Sequence, residues 1–149
     1  MENALKQVDA KLDALTSTCD PLVINYIREI SSARGKQIRS RLMLMQANLF
    51  GEAMISTVTN CAACCELLHT ATLIHDDVID NADVRRGFPT LNNHYGNEIA
   101  VVVGDYILAL VFKSINDEHD FSLNNMILGT SQEMGLGVIE EINHRNNFQ

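Results

Sequence analysis

A single segment, residues 53–80, sets the strongest constraint on how this chain can fold. It contains neither glycine nor proline, the two residues that interrupt helices most strongly. Its apolar residues cover most of the circumference of a helix, and a helix that is apolar nearly all round is buried. We therefore expect one long central helix, around which the rest of the chain packs.

Helical periodicity recurs on both sides of this segment. The predicted flanking helices cover residues 2–17, 21–32, 37–50, 98–115 and 122–144. A loop that contains Gly87 and Pro89 separates the central helix from the two later ones. Residues 101–103 are all valine, but no other segment offers them a strand partner. The sequence therefore predicts an all-α fold, a single helical domain over residues 1–149 with about five to six main helices and no internal boundary.

The balance of charged and apolar residues excludes several classes of protein. The chain has 149 residues, with 11 Lys and Arg against 19 Asp and Glu, and a formal net charge of −8. Binding to nucleic acid or to anionic lipid depends on a surplus of Lys and Arg, so neither is expected as a partner. The longest apolar stretch, residues 99–112, contains Asp105 and is shorter than the ~20 residues of a transmembrane helix. We therefore expect a buried helix here and no transmembrane segment.

The first residues and the cysteines indicate a cytoplasmic protein. The N-terminal sequence lacks the basic-then-apolar order of a signal peptide. The four cysteines, Cys19, Cys61, Cys64 and Cys65, lack the spacing of a zinc site and are interpreted as small buried residues. Unpaired thiols of this kind are typical of a reducing compartment.

Positive and negative side chains are segregated along the chain. The basic residues fall into two groups, Arg28, Arg34, Lys36, Arg39 and Arg41 in the first and Arg85 and Arg86 in the second. No lysine or arginine occurs between residues 42 and 84, where six acidic residues occur. This segregation indicates an anionic ligand that is held partly by cationic side chains and partly by metal.

The end of the predicted central helix presents a line of ligand-type side chains. Asp76 and Asp80 are four residues apart and share one face, His69 lies two turns earlier on nearly the same face, and Asp77 points about 100° aside. Carboxylates so close together repel one another unless a cation lies between them. Mg²⁺ is usually held by one or two carboxylates together with substrate phosphates. Arg85 and Arg86 could reach the same phosphates from the loop.

Two other interpretations of this stretch stay open at this point. The acidic residues could be a solvated helix end, although negative charge at a helix C-terminus is unfavourable by about 0.3–1 kcal/mol per group. The dipeptide His75-Asp76 also occurs in metal phosphohydrolases of the HD type. That site needs a further histidine well upstream on another helix, and His69 is the first histidine of this chain.

Residues 76–87, DDVIDNADVRRG, resemble the first aspartate-rich motif of the trans-isoprenyl diphosphate synthases. The flanking segments ELLHTATLIHDD (66–77) and GFPTLNNHYGNEIAVVVGDYILA (87–109) resemble the long-chain polyprenyl members. Upstream, RGKQIRS (34–40) resembles the Gly-Gly-Lys-x-x-Arg-Pro loop of the family. The resemblance implies an antiparallel helix bundle of the isoprenoid-synthase type.

The resemblance also implies roles for the matching residues. Asp76, Asp77 and Asp80 would bind Mg²⁺ that bridges the allylic diphosphate, and Arg85 would contact that diphosphate. The diphosphate of isopentenyl diphosphate would be held by Lys36, Arg39, His69 and Arg86. The implied reaction is ionisation of the allylic substrate, attack by the isopentenyl double bond, and loss of a proton. The implied product is a long-chain polyprenyl diphosphate, of the type used for quinone side chains.

Product length is predicted from the helix turn before the aspartates. Ala71 and Thr72 lie one turn below the carboxylates and Leu68 one turn deeper, where the growing tail should pass. Small side chains at 71 and 72 would leave that path open and favour a long-chain product, with ordinary core packing as the alternative explanation. We expect Ala71→Phe to shorten the products, and an unchanged product length by chromatography would contradict this role.

The chain departs from the family pattern in several places. Arg34, Ser40 and Val138 stand where Gly, Pro and Glu are usual, and no second aspartate-rich motif or Lys-Thr pair occurs in the 149 residues.

Four interpretations follow: the N-terminal half of a synthase, a subunit whose partner supplies the missing acids, a non-catalytic helical protein, or a terpene cyclase. A terpene cyclase would share the first aspartate-rich motif but would have neither the Lys-x-x-Arg loop nor the Arg-Arg-Gly sequence. A homodimer or a complementing subunit is expected as the assembly.

Overall fold

A computed structural model of the protein describes residues 2–32 and 35–147. In chain order its elements are α1 Glu2–Ser17, α2 Pro21–Ser32, α3 Ile38–Leu49, α4 Glu52–Ile79, β1 Val84–Arg85, β2 Phe88–Pro89, α5 Leu91–Tyr95, α6 Asn97–Asn116 and α7 Phe121–Asn147. The all-α class is confirmed, with six long helices among the described residues. Within those same ranges, no helix is both long enough and apolar enough to cross a membrane.

The segment between α4 and α6 differs from the prediction, which has only a loop there. It contains a hairpin of two two-residue strands and the five-residue helix α5. Elements this short do not repeat a hydrophobic period, so sequence periodicity cannot reveal them.

The chain divides by its internal contacts into two compact units, residues 1–111 and 112–149, and the division falls inside α6. The predicted single domain without internal boundary stays a prediction. In the second unit, Asp120 caps the start of α7, because its carboxylate accepts hydrogen bonds from the backbone N–H groups of Ser122 and Leu123, both at 3.0 Å.

The first unit is built around α4, as predicted. This helix packs against α1, α3 and α5. Ala62, Ala63, Cys64 and Ala71 of α4 are fully buried, and such small side chains let neighbouring helices approach closely.

Burial also raises the pKa of the Cys19 thiol, which lies between α1 and α2.

Helix α6, expected as a buried helix over residues 99–112, is buried along one face and exposed on the other. In the first unit, Ala100, Val103, Ile107 and Val111 are at most 4% exposed. These residues are three or four positions apart and so form one face. Val102 lies off that face and is 65% exposed.

Helix α2 fixes α5 through Glu29. One Glu29 carboxylate oxygen lies 2.7 Å from His94 Nδ1, and the other accepts a 2.7 Å hydrogen bond from the Tyr95 hydroxyl. Contact with His94 is the main reason that the pKa of Glu29 is lowered. Because α5 follows directly after the hairpin, this contact also anchors the segment that contains Arg85 and Arg86.

Candidate functional site

The three aspartates at the end of α4 have different surroundings. Asp76 is half-buried, Asp77 is buried, and Asp80 is exposed at the helix end. The backbone N–H of Asp80 donates to the Asp76 carbonyl at 2.8 Å, so helical geometry continues through residue 80. Asp76 and Asp80 therefore lie one turn apart on the same face, as predicted from their spacing.

The Asp77 carboxylate forms a hydrogen-bonded ion pair with Arg85. Both Nε and Nη2 of Arg85 donate to Asp77 Oδ1 at 2.7 Å, and the Asp77 side chain is only 8% exposed. This hydrogen bond, followed by the charges of Asp77, Asp76 and Asp80, raises the pKa of Arg85. The metal-binding role predicted for Asp77 stays a prediction, whereas its contact with Arg85 places that cation beside the other two carboxylates.

A tight hairpin turn presents Arg85 and Arg86. Val84 pairs with Pro89 and Arg85 with Phe88, so Arg86 and Gly87 are the two central residues of the turn. Both have positive φ, 53° for Arg86 and 85° for Gly87, which is the pattern of a type I′ turn. The glycine of the Arg-Arg-Gly sequence is thus required by the backbone.

We expect Gly87→Val to lower the free energy of unfolding by about 1–3 kcal/mol, because a β-branched residue is strained at this φ. Denaturant unfolding measures the change. The matched control is Gly129→Ala in α7, where an added Cβ would have nothing within 4 Å. That change should stabilise by about 0.5–1 kcal/mol. A Gly87→Val protein as stable as the parent would contradict the role of the turn.

Three polar residues after the hairpin bond the segment that joins α4 to the hairpin. Thr90 caps α5, and its hydroxyl donates to the Ala82 carbonyl at 2.6 Å. The Asn92 amide donates to the same carbonyl at 3.2 Å, and the Asn93 amide donates to the Asp83 carbonyl at 3.1 Å. Sequence reasoning missed this function, although threonine is one of the residue types that favour the N-cap position of a helix.

The loop before α3 contacts the hairpin through Gly35 and Arg86. The Arg86 guanidinium lies so close to Gly35 that a Cβ there would overlap it. Next to this contact are Lys36 and Arg39, both exposed, and His69 on α4, which is half-buried. Burial, and then the positive charge of Arg39, lowers the pKa of His69 below its ordinary value of 6.5.

An open cavity of about 250 Å³ in the first unit collects most of the predicted site residues. Its lining includes Lys36, Arg39, His69, Asp77, Arg85 and Arg86. Asp76 and Asp80 are outside the lining, so these two carboxylates lie beside the cationic cavity, whereas Asp77 lines it.

The residues predicted to set product length are also outside this lining. Leu68 and Ala71 are buried at 8% and 0% exposure, and the half-buried Thr72 donates its hydroxyl to the His69 carbonyl at 2.8 Å. Their role in product length therefore stays a prediction.

The donor set at the end of α4 fits Mg²⁺. Within the described residues, no three His, Cys, Asp or Glu side chains are grouped to hold a metal ion by themselves. Asp76 and Asp80 supply two carboxylates one turn apart, and Mg²⁺ is commonly held by one or two carboxylates plus substrate phosphates. Arg85 lies beside them as a further partner for those phosphates.

Two curated relatives match much of this chain. The all-trans-nonaprenyl-diphosphate synthase (geranyl-diphosphate specific) of Rhodobacter capsulatus is 41% identical over 107 residues, which are 72% of this chain and 31% of that enzyme. Component 2 of the heptaprenyl diphosphate synthase of Bacillus subtilis is 32% identical over 142 residues, 95% of this chain and 40% of that protein. The chain thus spans well under half the length of either relative.

Solved structures of similar enzymes have the same fold. A decaprenyl diphosphate synthase from Rhodobacter capsulatus matches with a TM-score of 0.85 and 29% identity, over 95% of this chain and 44% of that one. A polyprenyl synthase from Caulobacter crescentus, complexed with calcium and isoprenyl diphosphate, matches with a TM-score of 0.80 and 25% identity, over 93% and 42%. The fold is that of the isoprenoid-synthase helical bundles. The family model for polyprenyl synthetase matches residues 20–149, and this chain therefore belongs to the polyprenyl synthetase family.

Proposed function

We propose that this chain forms the part of a trans-polyprenyl diphosphate synthase site that binds two diphosphates side by side. One is the allylic diphosphate, held through Mg²⁺ at Asp76 and Asp80 with Arg85. The other is the diphosphate of isopentenyl diphosphate, held in the cavity by Lys36, Arg39, His69 and Arg86. The observation that supports this best is the contact of Arg86 with Gly35 before α3, in a cavity that Arg85 and Asp77 also line.

The two groups of side chains suit different parts of the reaction. Bound Mg²⁺ would neutralise the allylic diphosphate and so make it a better leaving group. Arg85, oriented by Asp77, is a fixed cation that favours the charge developing on the departing diphosphate. Lys36 and Arg39 hold the diphosphate of isopentenyl diphosphate by charge. This places the double bond of the isopentenyl group near the allylic carbon.

A titration with both ligands tests the proposal. The chain is first saturated with geranyl thiolodiphosphate and Mg²⁺, and isopentenyl diphosphate is then added in a calorimeter. We expect both to bind at once, with Arg39→Ala weakening only isopentenyl diphosphate and Asp76→Ala weakening only the allylic analogue. Mutually exclusive binding, or variants that weaken both ligands equally, would contradict two adjacent sites.

We expect isopentenyl diphosphate to bind with uptake of a proton by His69. The pKa of His69 is lowered in the free protein, so the ring is largely neutral at pH 7. A nearby diphosphate raises that pKa, and between the free and bound pKa values the affinity should fall as the pH rises. Calorimetry in buffers of different ionisation enthalpy measures the uptake. His69→Gln corrects for protons taken up by the ligand itself, and equal uptake by parent and variant would contradict the prediction.

A second candidate is a subunit that depends on a partner. It is favoured by the similarity to a heptaprenyl synthase component 2, whose name describes one component of an enzyme. This chain would then show little prenyl transfer alone and gain it when a separate chain with a second Asp-Asp-x-x-Asp motif is added. Incorporation of labelled isopentenyl diphosphate measures this, and no gain on addition would count against the candidate.

A further inference from the structure

We infer that Glu66 is a positioning residue for the cationic cavity, in that it fixes the start of α3 and so holds Lys36 and Arg39 in place against His69. Glu66 lies in the segment 66–77 that resembles the family, but the roles predicted from sequence assign it none. The inference rests on the proposed function for the class of ligand, a diphosphate, and on the hydrogen bonds of Glu66 for the role itself.

Glu66 supplies the N-terminal cap that α3 lacks. Gln37 precedes the helix in a left-handed conformation, with φ 49°, and its side chain makes no capping hydrogen bond. Instead, the backbone N–H and the hydroxyl of Ser40 both donate to Glu66 Oε1, at 3.1 and 2.9 Å. The first N–H groups of a helix have no partner within it, and a negative charge near them is favourable. Ser40 is completely buried, so water cannot replace this carboxylate.

The same contact aligns two elements of the cavity. Arg39 directly precedes Ser40 on α3, whereas His69 lies one turn after Glu66 on α4. A bond between Ser40 and Glu66 therefore sets how far Arg39 stands from His69. Arg39 is close enough to lower the pKa of His69, which is consistent with this alignment.

Two further contacts hold the loop before α3, and neither reaches α4. The Gln37 amide donates to Asp9 Oδ1 at 2.7 Å, and Arg41 Nε donates to the Lys36 carbonyl at 2.9 Å. The first joins the loop to α1 and the second joins it to α3 itself. Glu66 is thus the α4 side chain that bonds the start of α3, and the Ser40 hydroxyl lies in addition 3.5 Å from the Ala62 carbonyl of the same helix.

Charge and position make opposite predictions for Glu66. Its negative charge acts on His69 with a sign opposite to the charges of Arg39, Arg85 and Arg86, and it therefore opposes the binding of an anion there. If charge alone mattered, removal of the carboxylate would tighten anion binding. If position matters, removal of the hydrogen-bond acceptor would weaken it. Glutamine separates the two, because it lacks the charge but keeps an oxygen that accepts hydrogen bonds.

The experiment measures inorganic pyrophosphate binding to the chain by calorimetry in EDTA, which reports the cationic cavity without metal. We expect Glu66→Ala to weaken binding about 10-fold and Glu66→Gln to bind as tightly as the parent or more tightly, so that the conservative variant rescues the site. Ser40→Ala, which keeps the backbone donor, should have a smaller effect of about 3-fold. Glu133→Ala, an exposed acid of α7, is the control for loss of one charge.

The outcomes are distinct. Glu66→Ala binding that equals or exceeds that of the parent would overturn the inference, as would equal weakening by Glu66→Gln. If Glu66→Ala does not fold, the Ser40→Ala and Glu66→Gln pair decides in the same way. Arg39→Ala tests the proposed function separately: if the parent binds no pyrophosphate, or binds it equally well without Arg39, the proposed function fails and the inference fails with it.

Discussion

Replacing Asp76 with alanine is expected to lower the Mg²⁺-dependent affinity for an allylic diphosphate analogue by about 100-fold or more. Asp76 and Asp80 are the two carboxylates that face the same side at the end of α4. Changes to residues merely behind a metal ligand cost about 10–100-fold in affinity, so loss of a ligand should cost at least the upper end of that range. Calorimetric titration with geranyl thiolodiphosphate in Mg²⁺ measures the change.

Asp83→Asn is the matched control for Asp76→Ala. Asp83 is an exposed acid beyond the end of α4, and its replacement removes one charge near the hairpin without touching the predicted ligands. Its affinity for the analogue should stay within about 2-fold of that of the parent, since surface charges contribute little. Equal losses in the two variants would mean that general electrostatics, rather than metal ligation, explains the effect of Asp76.

The second large effect is expected at Asp77. Removing one partner of a buried ion pair costs about 3–5 kcal/mol, because the other charge is left unpaired. The Arg85 side chain is 36% exposed, so water compensates in part, and we expect Asp77→Ala to lower the free energy of unfolding by about 2–3 kcal/mol. Arg85 would also lose its fixed orientation, which should weaken binding of the allylic analogue. Denaturant unfolding and the same calorimetric titration measure the two effects.

The pair Glu141–Arg145 on α7 is the control for this change. Both side chains are more than half exposed and lie four residues apart on one helix. Glu141→Gln should therefore change the free energy of unfolding by only about 0.3–0.5 kcal/mol. If Asp77→Ala were as mild as this control, the buried Asp77–Arg85 pair would not be what holds the arginine.

Much of the fold follows from the sequence for identifiable reasons. The segment around residues 53–80 lacks helix breakers and is apolar nearly all round, and α4 is indeed the buried centre of the first unit. The hairpin and α5 could not be predicted, since their strands and helix are too short to show a period. The single-sided burial of α6 depends on which helices lie beside it, and a continuous apolar run such as residues 99–112 does not contain that information.

The candidate site, like the fold, could be predicted from the sequence only in part. Helical spacing alone predicts that Asp76 and Asp80 share a face, because four residues make about one turn. Contacts between distant segments are a different matter. The contact of Arg86 with Gly35 joins residues 51 positions apart, and the hydrogen bond of Ser40 to Glu66 joins residues 26 positions apart. Each contact depends on how α3 packs against α4. The contact of Asp77 with Arg85 is likewise set by the type I′ turn, whose conformation the short Arg-Gly pair only suggests.

The Mg²⁺ dependence of allylic diphosphate binding tests the central claim most directly. The chain is titrated with geranyl thiolodiphosphate once in Mg²⁺ and once in EDTA. We predict saturable binding of one ligand per chain in Mg²⁺ and an affinity at least about 100-fold lower in EDTA, since the two carboxylates repel the diphosphate without the ion. Equal affinity in the two buffers would contradict a metal-bridged diphosphate at Asp76 and Asp80.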